Sequence, residues 1–235
     1  MTRIVIQTCL GYEAPVKKLL GSIHFHEQAH RFIIVVNNCD REKIHKRNWE
    51  DEAGTSAAVA TIETPRNLWE YVSFEKIGDY MRHPMFKAKL YFFLHDTCFV
   101  YRANRFWKHL DRMSDKLSSD PHPNSILFPG IRSEHHNILL AKPQFVKEFG
   151  AQFKGRVFTK ADGIRIEHSM GPVQDIKGNR EWPHTYAGRR AILRPPGAQY
   201  SDVERHTKIY PSLCLHKYYH HVNIEDDNSI HPDKP

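Results

Sequence analysis

Short apolar runs alternate with segments whose apolar residues recur at helical spacing, and this alternation organises the chain up to about residue 155. Residues 3–9 read as a first strand. Gly11 breaks it, and Pro15 suits the first turn of a helix running to Ile23. Residues 32–36 are continuously apolar, as in a strand covered on both faces, and residues 57–62 form a third candidate strand. Asn67 followed by Glu70 resembles a capping box, after which Leu68, Tyr71, Phe74, Ile77 and Met81 fall at helical intervals. Residues 90–94 are another strand, which runs into His95-Asp96-Thr97. Phe106, Trp107, Leu110, Met113 and Leu117 make the stripe of a helix over 104–117. Short strands are expected at 126–128, 138–140 and 213–215, with a helix over 143–149 opened by Pro143.

Strand and helix in alternation predict βαβ units, hence an α/β, Rossmann-like fold with a mostly parallel central sheet flanked by helices. Beyond about residue 155, Gly, Pro, Arg and aromatic residues dominate, which predicts a loop-rich C-terminal lobe. Residues 225–235 are polar and lack an apolar period, as in a flexible tail. No internal repeat is present. One domain over 1–224 accounts for the pattern.

Composition narrows the class. A chain of 235 residues with 40% hydrophobic and 26% charged residues can bury a core without disulfides or a structural metal. No apolar run reaches eighteen residues, so no membrane-spanning helix is expected. The first residues read straight into a strand, without the pattern of a signal peptide. The four cysteines, Cys9, Cys39, Cys98 and Cys214, are far apart and form no C-x-x-C pair. That predicts reduced thiols and a cytoplasmic location. The net charge of +7 is scattered, with Arg189, Arg190 and Arg194 as the single local cluster. An acidic membrane surface or a phosphate-bearing ligand is expected rather than nucleic acid.

Neither G-x-G-x-x-G nor the P-loop pattern occurs, which argues against both phosphate-binding fingerprints. In an open parallel sheet the ligand still sits beyond the carboxyl ends of the strands. This directs attention to Thr8–Tyr12, Asn37–Asp40, Thr64–Asn67 and His95–Thr97. A carboxylate such as Asp96 at the end of a buried strand can hold a divalent metal on a diphosphate, and imidazole can add a ligand. Asp96 can equally cap the turn that follows.

The order of strand, polar turn, helix, second strand ending in Asn37-Asn38-Cys39-Asp40, then Thr64-Pro65-Arg66-Asn67 and a long helix resembles the GT-A glycosyltransferases over about residues 3–170. In that family an apolar strand ends in a D-x-D motif that binds the metal and the donor diphosphate. Leu94-His95-Asp96-Thr97-Cys98 occupies the equivalent place, with His95 and Thr97 where the outer carboxylates would stand. The resemblance implies transfer of a sugar from a nucleotide-diphosphate donor to a glycan or other hydroxyl acceptor, assisted by Mn2+ or Mg2+. It implies a nucleotide-binding part at about 1–103 and an acceptor part at about 104–224. Thr8 and Tyr12 would meet base or ribose, and Asn37 or Asp40 the polar edge of the nucleoside. Arg66 and Asn67 would lie near the donor sugar or phosphate, although Asn67 also suits a helix cap. His135-His136 would lie near the donor sugar or read as an exposed turn. Glu167, or Asp162, would act as general base; Asp162-Gly163 is also a hairpin-turn signal. His216, with His95 and Asp96, would complete the metal shell, and Lys217 would contact phosphate. The nearby pair His220-His221 offers alternatives to His216.

Two other classes compete. Seventeen histidines could serve a metal-dependent hydrolase or nuclease, but no H-E-x-x-H or paired-carboxylate motif accompanies them. A non-catalytic nucleotide- or glycan-binding module on the same fold would tolerate the reduced D-x-D.

Overall fold

The computed structural model describes residues 1–66, 71–127, 138–156, 180–182, 207–210 and 213–218. Its centre is four parallel strands in the order β4-β2-β1-β5: β1 (Thr2–Cys9), β2 (Phe32–Asn37), β4 (Ser56–Glu63) and β5 (Leu90–His95). The runs read as strands at 3–9, 32–36 and 90–94 are neighbours: Ile4 pairs with Phe32 on one side and with Phe92 on the other. Every residue of β2 is buried, which is what a continuous apolar run requires.

Antiparallel strands extend the sheet at both edges. β3 (Lys43–Glu50) pairs with β4, and β8 (Leu139–Ala141) and β7 (Ser125–Leu127) follow β5, while beyond them β9 (Arg180–Trp182) pairs parallel with β7. The sheet thus has eight strands and a mixed character, parallel where it is most buried. A second sheet of three strands joins β6 (Cys98–Val100) to β11 (Leu215–Tyr218) and β10 (Thr207–Tyr210).

Helices cover both faces. α1 (Glu13–Ile23) buries Val16, Leu19, Leu20 and Ile23, and α3 (Ala103–Ser119) buries Phe106, Leu110, Met113 and Leu117. Both stripes pack on the side chains of Ile4, Ile6, Ile34, Phe92 and Leu94. α2 (Val72–Tyr80) and α4 (Pro143–Ala151) cover the opposite face over Val5, Ile33, Val35 and Phe93. A 3-10 helix (Phe25–Arg31) links α1 to β2. Among the described residues no helix is long and apolar enough to cross a membrane.

Where α2 crosses α4, Gly150 is required by close approach. A Cβ there would lie 2.3 Å from the Phe74 carbonyl oxygen, whereas one on Gly78 would meet nothing nearer than 3.5 Å. Gly150→Ala should therefore destabilise by about 1–3 kcal/mol through overpacking. Gly78→Ala should be neutral or slightly stabilising, because alanine is the better helix former. Urea unfolding of both variants checks this, and equal midpoints would contradict the described crossing.

Candidate functional site

The parallel strands β1, β2, β4 and β5 all end on one edge, at Cys9, Asn37, Glu63 and His95. The turns beyond them are tied by backbone hydrogen bonds. Leu10 N–H donates to the Asn37 carbonyl at 2.9 Å, and Cys39 N–H donates to the Thr64 carbonyl at 3.1 Å. Asp96 N–H continues the β1–β5 ladder by donating to the Gln7 carbonyl at 3.1 Å. Two turn residues have left-handed backbone, Gly11 at φ 89° and Asn38 at φ 58°; glycine and asparagine are the types that tolerate it.

Asp96 is 5% exposed, and one of its carboxylate oxygens accepts the Thr8 hydroxyl at 2.9 Å. Thr8 is itself buried. Its side chain thus fixes the carboxylate, whereas the sequence suggested contact with base or ribose. β11 then places two more sequence candidates beside this pair. His216 is opposite Phe99 and Lys217 opposite Cys98, two residues past Asp96. Both are buried, and the His216 ring lies 4.7 Å from that of Tyr101. Burial raises the Cys98 thiol to about 12, against the opposing pull of Lys217 and with a further push from Asp96. β11 therefore brings His216 and Lys217 to β6, which begins two residues past Asp96, and as successive strand residues the two side chains take opposite faces of the small sheet.

Of the remaining described candidates, His95 faces away from this group, whereas the Tyr12 carbonyl accepts a second, longer bond from the Thr8 hydroxyl at 3.4 Å. Strand alternation puts His95 in the row of Tyr91 and Phe93, the face covered by α2 and α4, whereas Thr8 continues the row of Ile4 and Ile6 on the other. Asn37 is fully buried beneath its turn, Asp40 is exposed, and Tyr12 is 39% exposed. Asn67, His135, His136, Asp162, Glu167, His220 and His221 lie outside the described residues.

Arg66 is held in a charged network that the sequence did not signal. Its Nε pairs with the buried Glu75 at 3.1 Å, and its guanidinium donates to the carbonyls of Phe153 at 3.1 Å and Arg156 at 2.9 Å. Glu75 also lies 3.6 Å from Lys76, whose ammonium reaches Glu42 at 2.5 Å. Glu42 further accepts the hydroxyl of Tyr80. Burial raises the Glu75 carboxyl above its ordinary value, with Arg66 and Lys76 pulling it back. Glu42 is lowered despite its own burial, because Lys76 and Tyr80 donate to it. Glu75 and Lys76 fall within a fully buried stretch of α2, Val72–Ile77, and buried charges need partners.

Among the described residues no three His, Cys, Asp or Glu side chains gather to hold a metal ion. A protein-only metal centre is not built from them. One buried carboxylate beside an imidazole strand does fit a divalent ion held chiefly by diphosphate and water, as magnesium commonly is.

No family model matches the chain, and no curated protein matches it. Among solved structures it is similar to the glycosyltransferase GlyE of Streptococcus pneumoniae TIGR4, with 11% identity and a TM-score of 0.42. The likeness covers 78% of this chain and 45% of that one, so the matched part spans less than half the length of that chain. A likeness of this size transfers no activity, and what the chain does is read from its own residues.

Proposed function

We propose that the carboxyl edge of β4-β2-β1-β5 binds a nucleoside-diphosphate sugar and that the chain is a glycosyltransferase of GT-A type. The observation that supports this most is the buried Thr8–Asp96 pair with the His216-Lys217 strand beside it. An open parallel sheet offers its ligand site at this edge, and a diphosphate needs a carboxylate-held cation, a fixed ammonium or both. Tyr12 and Asp40, exposed on the flanking turns, suit the nucleoside. Asp96 would hold a divalent ion together with the diphosphate, with His216 as the further ligand, and that ion would supply countercharge for the departing nucleoside diphosphate. Lys217 contributes a cation of the protein's own to the same task. Thr8 prevents Asp96 from rotating away. Glu167, or Asp162, is the proposed base for the acceptor hydroxyl, which would give inversion.

A non-catalytic nucleotide- or glycan-binding module is the second reading, favoured by the reduced D-x-D, in which Asp96 is the one acidic residue of His95-Asp96-Thr97. Incubation with uridine and guanosine diphosphate sugars separates the two. The transferase should stabilise thermally with one nucleoside diphosphate and slowly hydrolyse the matching sugar donor. Stabilisation without any hydrolysis would leave only the binding module, and no stabilisation at millimolar ligand would remove both.

A further inference from the structure

The exposed face of α3 carries charge that the proposed transfer reaction does not use. Taking 3.6 residues per turn, Lys108, Arg112, Arg105 and His109 fall within an arc of about 100°. Asp111 and Asp115 are confined to the flank, and Asp111 is turned to Arg31 at 3.1 Å. Arg105, Lys108 and Arg112 are exposed, and none has an ion-pair partner among the described residues. Like charges at these spacings destabilise a helix, so the stripe is held at a cost to the fold. The crowding is felt locally: burial, then Arg112, Arg105 and Lys108, lower the pKa of His109.

The stripe begins at the candidate site. Arg102 caps the start of α3, and Arg102 and Arg105 both act electrostatically on Tyr101, whose ring lies against His216. From Arg102 to Arg112 the row extends about 15 Å along the surface, at 1.5 Å per residue. A line of cations leading away from a site suits a charged chain rather than a small anion. Among the described residues the surface lacks the features of other polyanion partners. Single-stranded nucleic acid is gripped by exposed aromatic rings, and anionic membranes are gripped by exposed apolar groups beside the charges. The large hydrophobic side chains exposed among the described residues are Met1, Leu10 and Tyr12, none of them on α3.

We propose that Arg102, Arg105, Lys108 and Arg112 form a track for an anionic polysaccharide, the acceptor chain or a stretch of it, running outward from the transfer site. The choice of a carbohydrate rests on the transferase reading; the track itself does not. Heparin serves as the sulfated probe, titrated by fluorescence anisotropy at low salt into the whole chain, with neutral dextran as the uncharged comparison. Arg105→Glu with Arg112→Glu should weaken heparin binding by about tenfold or more, and Arg105→Gln with Arg112→Gln by less. Lys43→Glu with Lys46→Glu makes the same change in net charge on the far edge strand and should leave binding within about twofold. Circular dichroism confirms that each variant folds. Equal losses for the α3 and β3 variants, or no loss for either, would overturn the track. Tighter stripe-dependent binding of single-stranded DNA, or of phosphatidylcholine vesicles with about 30% phosphatidylserine, would overturn the carbohydrate assignment. Nucleoside-diphosphate binding is measured separately on the same variants and should not change, so loss of the track and loss of the transferase reading are distinguishable.

Discussion

Lys217→Met is expected to reduce affinity for a nucleoside diphosphate by roughly ten- to a hundredfold while leaving affinity for the plain nucleoside unchanged. Methionine keeps the apolar stem that fills the space beside Cys98 and removes only the ammonium. A charge-assisted contact to phosphate contributes about 1.5–3 kcal/mol, which is that range of affinity. Isothermal titration of both ligands on both proteins reads the difference. A parallel loss for nucleoside and diphosphate would indicate a disturbed fold, and no loss would remove Lys217 from the site.

Arg66→Ala should act on stability, by about 3 kcal/mol, because breaking a buried pair leaves an uncompensated charge. Its partner Glu75 is 4% exposed, and two carbonyls lose a donor at the same time. The sign of the pH dependence is a second check. A carboxyl whose folded pKa is raised gives stability that is present below its unfolded pKa and lost as pH rises through the folded one. Removing Arg66 raises Glu75 further, since Arg66 is among the groups now lowering it. The deficit relative to the parent protein should therefore be larger at pH 7 than near pH 4. Urea midpoints at the two pH values measure it, and a deficit that grows toward acid would contradict the pairing described.

These two residues also mark how far the sequence was legible. The parallel core was readable because strands covered on both faces must be apolar throughout, as in residues 32–36 and 90–94. β3 was not readable. Its sequence, KIHKRNWE, buries only Trp49, since an edge strand keeps its charges in water. β6 looked like a turn because three residues carry no period, and its pairing partner β11 arrives from more than a hundred residues later. The same distance governs the site. Asp96 and the turn after β1 were located by the rule that ligands lie beyond the carboxyl ends of parallel strands. That Thr8 would hold Asp96 rather than face outward depends on the register of β1 against β5, which pattern alone does not supply. Arg66 was located by its place after a strand, and pattern alone did not supply its partners at 75, 153 and 156.

The central claim is that Asp96 links a divalent ion to a bound diphosphate. It is tested most directly by titrating a nucleoside diphosphate, with and without manganese, into the parent protein and into Asp96→Asn, which keeps the size and removes the charge. A single carboxylate leaves the ion held mostly by diphosphate and water, so metal and nucleotide should strengthen each other's binding reciprocally in the parent. In the variant that mutual strengthening should vanish, while metal-free binding and the melting temperature persist. Equal affinities in all four titrations would contradict the account and make Asp96 a turn residue.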